Sequence, residues 1–276
     1  MNDHVHGYYH EFTDDFTPSG HFHKVIPLHE APNIQWEEIS QRVPNLPKGW
    51  FELSRLTSED RIEFIREFWL AKLPYTPHVH EFLTDFFASL SYVGIYATQR
   101  GFDDSFEAQI VYGLEKNRGF YHGSPPLNET EVAELGKRFG ETLHTVTPHM
   151  LPEDYKAFLQ VHDGFSKYTD TGLIKSNELC SRYKQFQQFL LEQEPLMTLK
   201  GEEIDPKGLI PFYESFGLHC YQCFWADWYP EPEMGNVYYS GIEKSFSNVD
   251  IEETWGDNMA YPTFLDWLVF YLESIE

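Results

Sequence analysis

The sequence predicts an α+β protein in which a small antiparallel sheet is flanked by helices. Helical patterns come first, several short strand-like segments separated by turn residues follow without alternating crossover helices, and an apolar helix closes the chain. Of the 276 residues, 41% are hydrophobic and 17% are aromatic. This composition is sufficient to build a hydrophobic core. This order of elements favours antiparallel pairing over a doubly wound parallel sheet.

The sequence of the N-terminal part predicts an irregular arm followed by two helices. Residues 1–50 are rich in His, Pro and polar side chains and show no sustained periodicity. The hydroxyl of Thr57, followed by the acids Glu59 and Asp60, is typical of a helix start. A second helix is expected over 78–90, where a wide apolar stripe indicates burial.

A hairpin and a domain boundary follow these helices. Residues 93–99 and 106–114 are rich in β-branched and aromatic side chains and are separated by turn residues, so they predict two strands. The consecutive prolines Pro125 and Pro126 cannot join a helix or a central strand. We therefore expect an N-terminal α+β region of helices plus hairpin over 1–127, and a second domain over 128–276.

The second domain begins and ends with helices. Asn128 and Glu131 have the spacing of a capping box, Pro152 suits the first position of the next helix, and residues 179–191 have helical composition. The closing helix over 264–272 is apolar on nearly all sides and belongs in a core. The strand-rich segments between them are LIPFYES, HCYQCFWAD and NVYYSG.

The charge of the chain excludes two classes of partner. There are 44 acidic and 20 basic residues, a formal net charge of −24, so phosphate backbones and anionic membranes are repelled. Residues 1–127 carry a net charge of −8 and residues 128–276 a net charge of −16. From residue 209 to the end there are 12 acids and one base, which indicates either a solubilising surface or a dock for a basic protein.

Cysteine usage and the first residues predict a soluble cytoplasmic protein. The three cysteines cannot form a disulfide framework, and an odd number fits a reducing compartment. The first residues lack the basic and apolar regions of a signal peptide. The densest apolar run, 267–272, is too short to span a bilayer.

Histidines and cysteines give two weak candidates for metal or redox chemistry. Six of the 13 histidines lie in the first 29 residues beside acids, which suggests zinc or nickel ligation, but no rigid scaffold is predicted there. The pair Cys220 and Cys223 lacks the further ligands of a zinc site. Their neighbours look like a strand, so we expect buried structural thiols on opposite faces. The histidines are His4, His6, His10, His21, His23 and His29.

The common signatures of nucleotide-binding proteins, esterases and zinc proteases do not occur in the sequence. We therefore expect a protein that is not an enzyme and that uses no cofactor or metal. A metal-dependent enzyme built on the N-terminal histidines stays as an alternative.

The candidate binding surface lies in the acidic, aromatic end of the chain. Ten of the 28 residues over 212–239 are aromatic, and a proline-punctuated loop within them combines Trp, Tyr and acids. Trp and Tyr are typical interface anchors, and the acids would select a basic partner; alternatively, the two rings fold back onto the sheet. The predicted partner-binding residues are Asp227, Trp228, Tyr229, Glu231, Glu233, Glu252, Glu253 and Asp257.

Residues 128–276 resemble the SUKH superfamily, which includes a yeast regulator of cell-wall synthesis and many bacterial toxin-immunity proteins. The resemblance rests on the order of a capped helix, a Leu-Pro-acid-Tyr helix start, a glycine-ended helix, a small sheet and a closing helix. The residues in these places are Leu151-Pro152-Glu153-Asp154-Tyr155, Phe158-Leu159, Gly164, Gly217, Tyr221, Phe264-Leu265 and Trp267-Leu268.

The resemblance implies an α+β binding scaffold without catalysis. Many toxins that immunity proteins neutralise are nucleases with basic clefts, which an acidic surface can cover. We therefore expect an immunity-type protein that binds a basic, nuclease-like partner. The alternative is a structural or regulatory adaptor in which residues 1–127 do the recognition.

Overall fold

A computed structural model describes most of the chain. The described residues are 3–10, 22–102, 104–115, 118–142, 151–197, 201, 203–226, 235–243, 245–247 and 259–273. Within them the protein is α+β, as the sequence predicted, and both sheets are antiparallel.

The described residues form nine α-helices and ten strands. The helices are α1 (Asp3–His10), α2 (Trp36–Arg42), α3 (Lys48–Leu53), α4 (Ser58–Lys72), α5 (Pro77–Ala88), α6 (Glu129–Thr142), α7 (Glu153–Leu159), α8 (Ser176–Leu191) and α9 (Phe264–Glu273). The strands are β1 (Lys24–Pro27), β2 (Leu90–Gln99), β3 (Glu107–Leu114), β4 (Phe120–Gly123), β5 (Phe165–Lys167), β6 (Gly172–Leu173), β7 (Leu209–Ser215), β8 (Cys220–Trp225), β9 (Gly235–Ser240) and β10 (Ser245–Phe246).

The chain divides into two compact units. The first unit contains the residues up to Pro126 together with Phe165–Tyr168, and the second contains Leu127–Gly164 and the chain from Thr169. The division after Pro126 lies one residue from the boundary predicted after residue 127. A single boundary does not describe the first unit, however, because β5 returns to pair with β4.

The first unit is a five-stranded sheet in the order β1-β2-β3-β4-β5. On one face, Trp69 of α4 packs edge-on against Tyr112 and Phe165, with ring centroids 5.9 and 5.7 Å away. On the other face, Tyr9 of α1 stacks on Tyr96 at 4.3 Å. Helices therefore cover both faces, which gives the sheet two apolar layers.

The long strand β2 extends beyond its short neighbour β1, and side chains seal the edge that remains. β1 pairs only with residues 96–99, so this edge is uncovered at residues 93 and 95. Backbone groups of both residues face side chains there. The Nδ1 atom of His29 lies 3.0 Å from the Ile95 carbonyl oxygen and 3.2 Å from its nitrogen. The Nε group of Arg61 donates to the Val93 carbonyl at 2.7 Å. The Val93 carbonyl and one backbone group of Ile95 are thereby paired, since a single ring nitrogen either donates or accepts, and this part of the edge is less available to another strand.

The second unit is also built on five strands, in the order β10-β9-β8-β7-β6. Trp267 of α9 packs edge-on against Phe212 of β7 with a ring separation of 4.9 Å. Phe186 of α8 packs against Tyr221 and Tyr239, at 4.6 and 5.7 Å, on the other face. The closing helix is largely buried, as its composition predicted.

The prediction of an irregular arm over residues 1–50 is wrong. The described part of this segment contains α1, β1, α2 and α3. These elements are only four to eight residues long, so tertiary packing decides them rather than sequence periodicity. Val5 and Tyr9 of α1, for example, are buried against the sheet.

The two predicted helix caps are confirmed. The hydroxyl of Thr57 accepts from the Asp60 N–H at 3.2 Å at the start of α4. Before α6, the Asn128 side chain accepts from the Glu131 N–H at 3.0 Å, and the Glu131 carboxylate accepts from the Asn128 N–H at 2.7 Å. Both arrangements satisfy amides that the first helical turn leaves unpaired.

Candidate functional site

The partner-binding residues predicted from the sequence lie outside the described residues. They are Asp227, Trp228, Tyr229, Glu231, Glu233, Glu252, Glu253 and Asp257. Their role in binding therefore stays a prediction. The structure does describe the elements that flank them: β8 ends at Trp225, β9 begins at Gly235, and α9 begins at Phe264.

An exposed apolar cluster lies at one end of the second unit's sheet. We call it the apolar tip; it consists of Phe216 and Leu218 in the β7–β8 turn and Ile242 after β9, whose exposed fractions are 57%, 50% and 68%. The two turns are adjacent, because the Gly241 N–H donates to the His219 carbonyl at 3.0 Å. A Cβ atom on Gly241 would lie 2.5 Å from that oxygen, so glycine permits this close approach.

The backbone of the β7–β8 turn is unusual for its sequence. The Leu218 N–H donates to the Ser215 carbonyl at 3.0 Å, and the two central residues, Phe216 and Gly217, have φ angles of +50° and +66°. Positive φ at both central positions is typical of a type I′ turn, where Asn-Gly is the usual pair. Phe216 thus occupies a position that a bulky side chain disfavours.

A carboxylate fixes this turn in place. The Phe216 N–H donates to Asp170 Oδ1 at 3.1 Å, while the Tyr213 and Tyr271 hydroxyls donate to Oδ2 at 2.6 and 3.2 Å. Burial raises the pKa of Tyr213, and the Asp170 charge raises it further, so its hydroxyl keeps the proton that it donates. Asp170 therefore links the backbone of Phe216 in the apolar tip to Tyr213 of β7 and Tyr271 of α9.

At the end of β7, a buried carboxylate, Glu214, pairs with a partly exposed arginine. Glu214 is buried and accepts from Arg182 Nη1 at 3.3 Å and from the Tyr221 hydroxyl at 3.3 Å. Burial raises the pKa of Tyr221, and the neighbouring Glu214 carboxylate adds to the shift. Because Glu178 also contacts Arg182, that cation is already engaged by two carboxylates.

Three of the N-terminal histidines pack against aromatic rings or the sheet edge, and His6 is exposed. His4 packs on Tyr168 and His23 on Phe102, and His29 seals the β2 edge. His21 and the side chain of His10 lie outside the described part. Among the residues that the structure describes, no group of three His, Cys, Asp or Glu side chains could hold a metal ion.

The two cysteines of the CxxC motif lie in β8 and point to opposite faces, as the sequence predicted. Cys223 packs with the α8 side of the core, and burial raises the pKa of its thiol well above the usual value. Cys220 is also buried. A thiol held protonated in a strand lacks the activation of a redox cysteine.

One hydroxyl–imidazole pair has the composition of a catalytic dyad. Ser166 Oγ lies 3.0 Å from His122 Nε2 on the face of the first sheet that α1 covers. Ser166 is buried, and the Tyr8 ring stacks on His122 with a centroid separation of 6.1 Å. With an aromatic ring on the imidazole and the serine in a covered sheet, the pair is best explained by packing.

A groove of about 570 Å³ lies between α6 and α7. Gly136 and Gly140 form part of its floor, and a Cβ atom on either would meet open space. Both acidic and basic side chains line the groove, and two of them, Lys156 and Glu153, form an ion pair. This lining selects neither an acidic nor a basic ligand.

Comparison with known proteins yields no relative: no protein-family model matches the chain, and no curated protein matches it. One further finding concerns membranes. No helix in the described ranges combines the length and the apolar character that a membrane span requires.

Sequence reasoning missed the apolar tip. A signal was present, because Phe216-Gly217 occupies the place of an Asn-Gly turn between two strands, and Ile242 follows Gly241 in the next turn. Phe216 lies between the predicted strand segments LIPFYES and HCYQCFWAD, and an aromatic residue in a connection does not by itself indicate exposure.

Proposed function

We propose that this protein binds another protein through its acidic second unit, as an immunity-type protein that neutralises a basic, nuclease-like toxin or a similar partner. The observation that carries the proposal is the charge of the region. From residue 209 onward, the described residues include three carboxylates that are at least partly exposed (Glu243, Asp266 and Glu273), the buried Glu214, and no Lys or Arg. A surface of one sign accelerates encounter with a partner of the opposite sign.

Two further points support this proposal. The second unit is an antiparallel sheet preceded by helices and closed by a helix, and the resemblance of its sequence to the SUKH superfamily implies a protein-binding scaffold. The apolar tip supplies what charge alone lacks, namely side chains whose burial against a partner would stabilise a complex after encounter.

The proposal is tested with a partner recovered by affinity purification and then purified by itself. We expect its association rate with the full-length protein to fall at least tenfold between about 50 and 500 mM salt, because exposed charges are screened. Reversing Glu231, Glu233, Glu252 and Glu253 to Lys should produce a similar loss. An affinity that is insensitive to salt would show that the acidic surface does not select the partner.

A matched control uses four exposed acids of the first unit. Reversing Glu37, Glu38, Glu63 and Glu67 to Lys changes the net charge by the same amount, and these side chains lie on α2 and α4. An equal effect of both sets would indicate dependence on total charge rather than on the second unit.

The alternative function, an adaptor that uses the first unit for recognition, is favoured by a different observation. Tyr75 and Phe102 have exposed fractions of 76% and 77% and lie on two different connections of the first unit. Truncation after Pro125 would remove β5 from the sheet of that unit, so the test uses the full chain. If Tyr75→Ser with Phe102→Ser abolishes binding and the Lys reversals do not, the adaptor is the correct function.

A further inference from the structure

We propose that Phe216 is the anchor of the binding surface, and that the partner presents an apolar pocket ringed by Lys and Arg to receive it; this inference rests on the proposed function. Phe216 is unfavourable for the isolated chain in two respects. Its ring is 57% exposed, and its φ angle of +50° is one that bulky residues rarely adopt. Neither property helps the protein to fold, and both are explained by a bound partner.

The anchor is preorganised. Its N–H is held by Asp170, and Asp170 is in turn held by the Tyr213 and Tyr271 hydroxyls. Because its backbone is already held, Phe216 has only side-chain freedom left to lose on binding, and a small loss of conformational freedom favours a hot-spot residue. Leu218 and Ile242 lie on the same and the adjacent turn, where they can exclude water from the contact.

The chemistry of the partner follows from the charges beside the tip. Glu243 is exposed next to Ile242, and Arg182 is engaged by Glu178 and Glu214. Lys244 follows Glu243, but it is the one base against 12 acids from residue 209 to the end of the sequence. A second copy of this chain would bring a further formal charge of −24 to the interface, so self-association is opposed. A pocket with an apolar floor and a basic rim complements both features.

The test uses a defined probe, a phage-displayed library of random 16-residue peptides selected on the immobilised full-length protein at low salt. Selected peptides are synthesised, and their Kd values are measured for the wild type, Phe216→Asn and Ile242→Ser. We expect peptides that combine Lys or Arg with large apolar residues, and at least a tenfold rise in Kd for Phe216→Asn. The control is Phe102→Asn, the same change at a ring of the first unit that is 77% exposed, which should alter Kd less than twofold.

The outcomes separate this inference from the proposed function. If peptide binding depends on salt but its Kd does not change in Phe216→Asn, the proposed acidic binding surface stands and Phe216 is not its anchor. If the Kd of the selected peptides changes neither with salt nor in Phe216→Asn, both proposals are wrong.

Thermal unfolding supplies a second readout that needs no ligand. Asn suits the φ angle of a type I′ turn, so Phe216→Asn should leave Tm unchanged or raise it by about 1–3 °C. A clear fall in Tm would show that the ring contributes to folding, and the inference would then be wrong.

Discussion

The two units use charged side chains of opposite sign to pair backbone groups: a buried cation in the first unit and half-buried carboxylates in the second. In the first unit a cation, Arg61, lies with 6% of its surface exposed and donates to the carbonyls of Val93 and Leu56, each at 2.7 Å. In the second unit carboxylates take this role: Asp154 accepts from the Leu265 N–H at 3.1 Å, and Asp170 accepts from the Phe216 N–H at 3.1 Å. One unit therefore satisfies carbonyls with a guanidinium, and the other satisfies amides with acids.

The difference concerns what each unit leaves exposed. Arg61 and His29 pair backbone groups on the edge of β2 that β1 leaves uncovered, at Val93 and Ile95. Asp170 instead holds the apolar tip outward at the end of the second sheet. Polar side chains thus pair strand-edge groups in the first unit and hold an exposed turn in the second.

The largest effect is expected for Arg61→Ala. The carbonyls of Val93 and Leu56 lose their donors, and the packed side chain is removed as well. We expect a loss of about 3 kcal/mol in the free energy of unfolding, measured by urea denaturation. Arg66→Ala is the control, because Arg66 is partly exposed and pairs only with surface acids on its own helix, so its loss should be below about 1 kcal/mol. Equal effects would show that the edge needs no cation.

An intermediate effect is expected for Asp170→Ala. Two tyrosine hydroxyls and the Phe216 N–H lose their acceptor, and we expect a loss of about 2 kcal/mol. Amide hydrogen exchange at Phe216 should accelerate, while exchange at residues of β2 should not change. A loss of stability without faster exchange at Phe216 would mean that Asp170 does not hold the tip.

Much of the fold could be predicted because local signals agree with the final packing. The α4 cap at Thr57, the capping box at Asn128 and the hairpin of β2 and β3 each depend on residues close in sequence. The short elements before residue 50 could not be predicted, since α1 is stabilised by residues about 90 to 115 positions away, such as Tyr96 and Phe120.

The candidate site was harder to predict than the fold. Composition located the acidic region, but the apolar tip depends on two turns that meet only when β8 and β9 pair. The return of β5 to the first sheet is equally non-local, because its partner β4 lies 42 residues earlier at the pair Gly123 and Phe165. Neither relation leaves a periodic pattern in the sequence.

A smaller effect is expected at the two helix caps, one in each unit. Thr57→Ala and Asn128→Ala each remove an acceptor for one amide of the first helical turn, and each should lower the free energy of unfolding by about 1 kcal/mol. Restoring the cap with Ser at each position should recover most of the stability. If Ala and Ser behave alike, the hydroxyl or amide cap contributes nothing measurable.

The smallest expected effect, a difference in pH dependence, distinguishes the acids of the second unit from the cation of the first. Burial raises the pKa of the Asp154 carboxyl, although N–H groups of Leu265, Tyr155 and Phe264 partly oppose this. An acid whose pKa is higher in the folded state binds more protons there, so its contribution to stability falls as pH rises from its unfolded value through its folded value. Asp154→Asn keeps an oxygen acceptor and cannot ionise. The free energy of unfolding of the wild type, relative to Asp154→Asn, should therefore decrease between acidic and neutral pH. A difference that stays constant or increases with pH would show that the N–H groups at the start of α9 stabilise the charge more strongly than burial disfavours it.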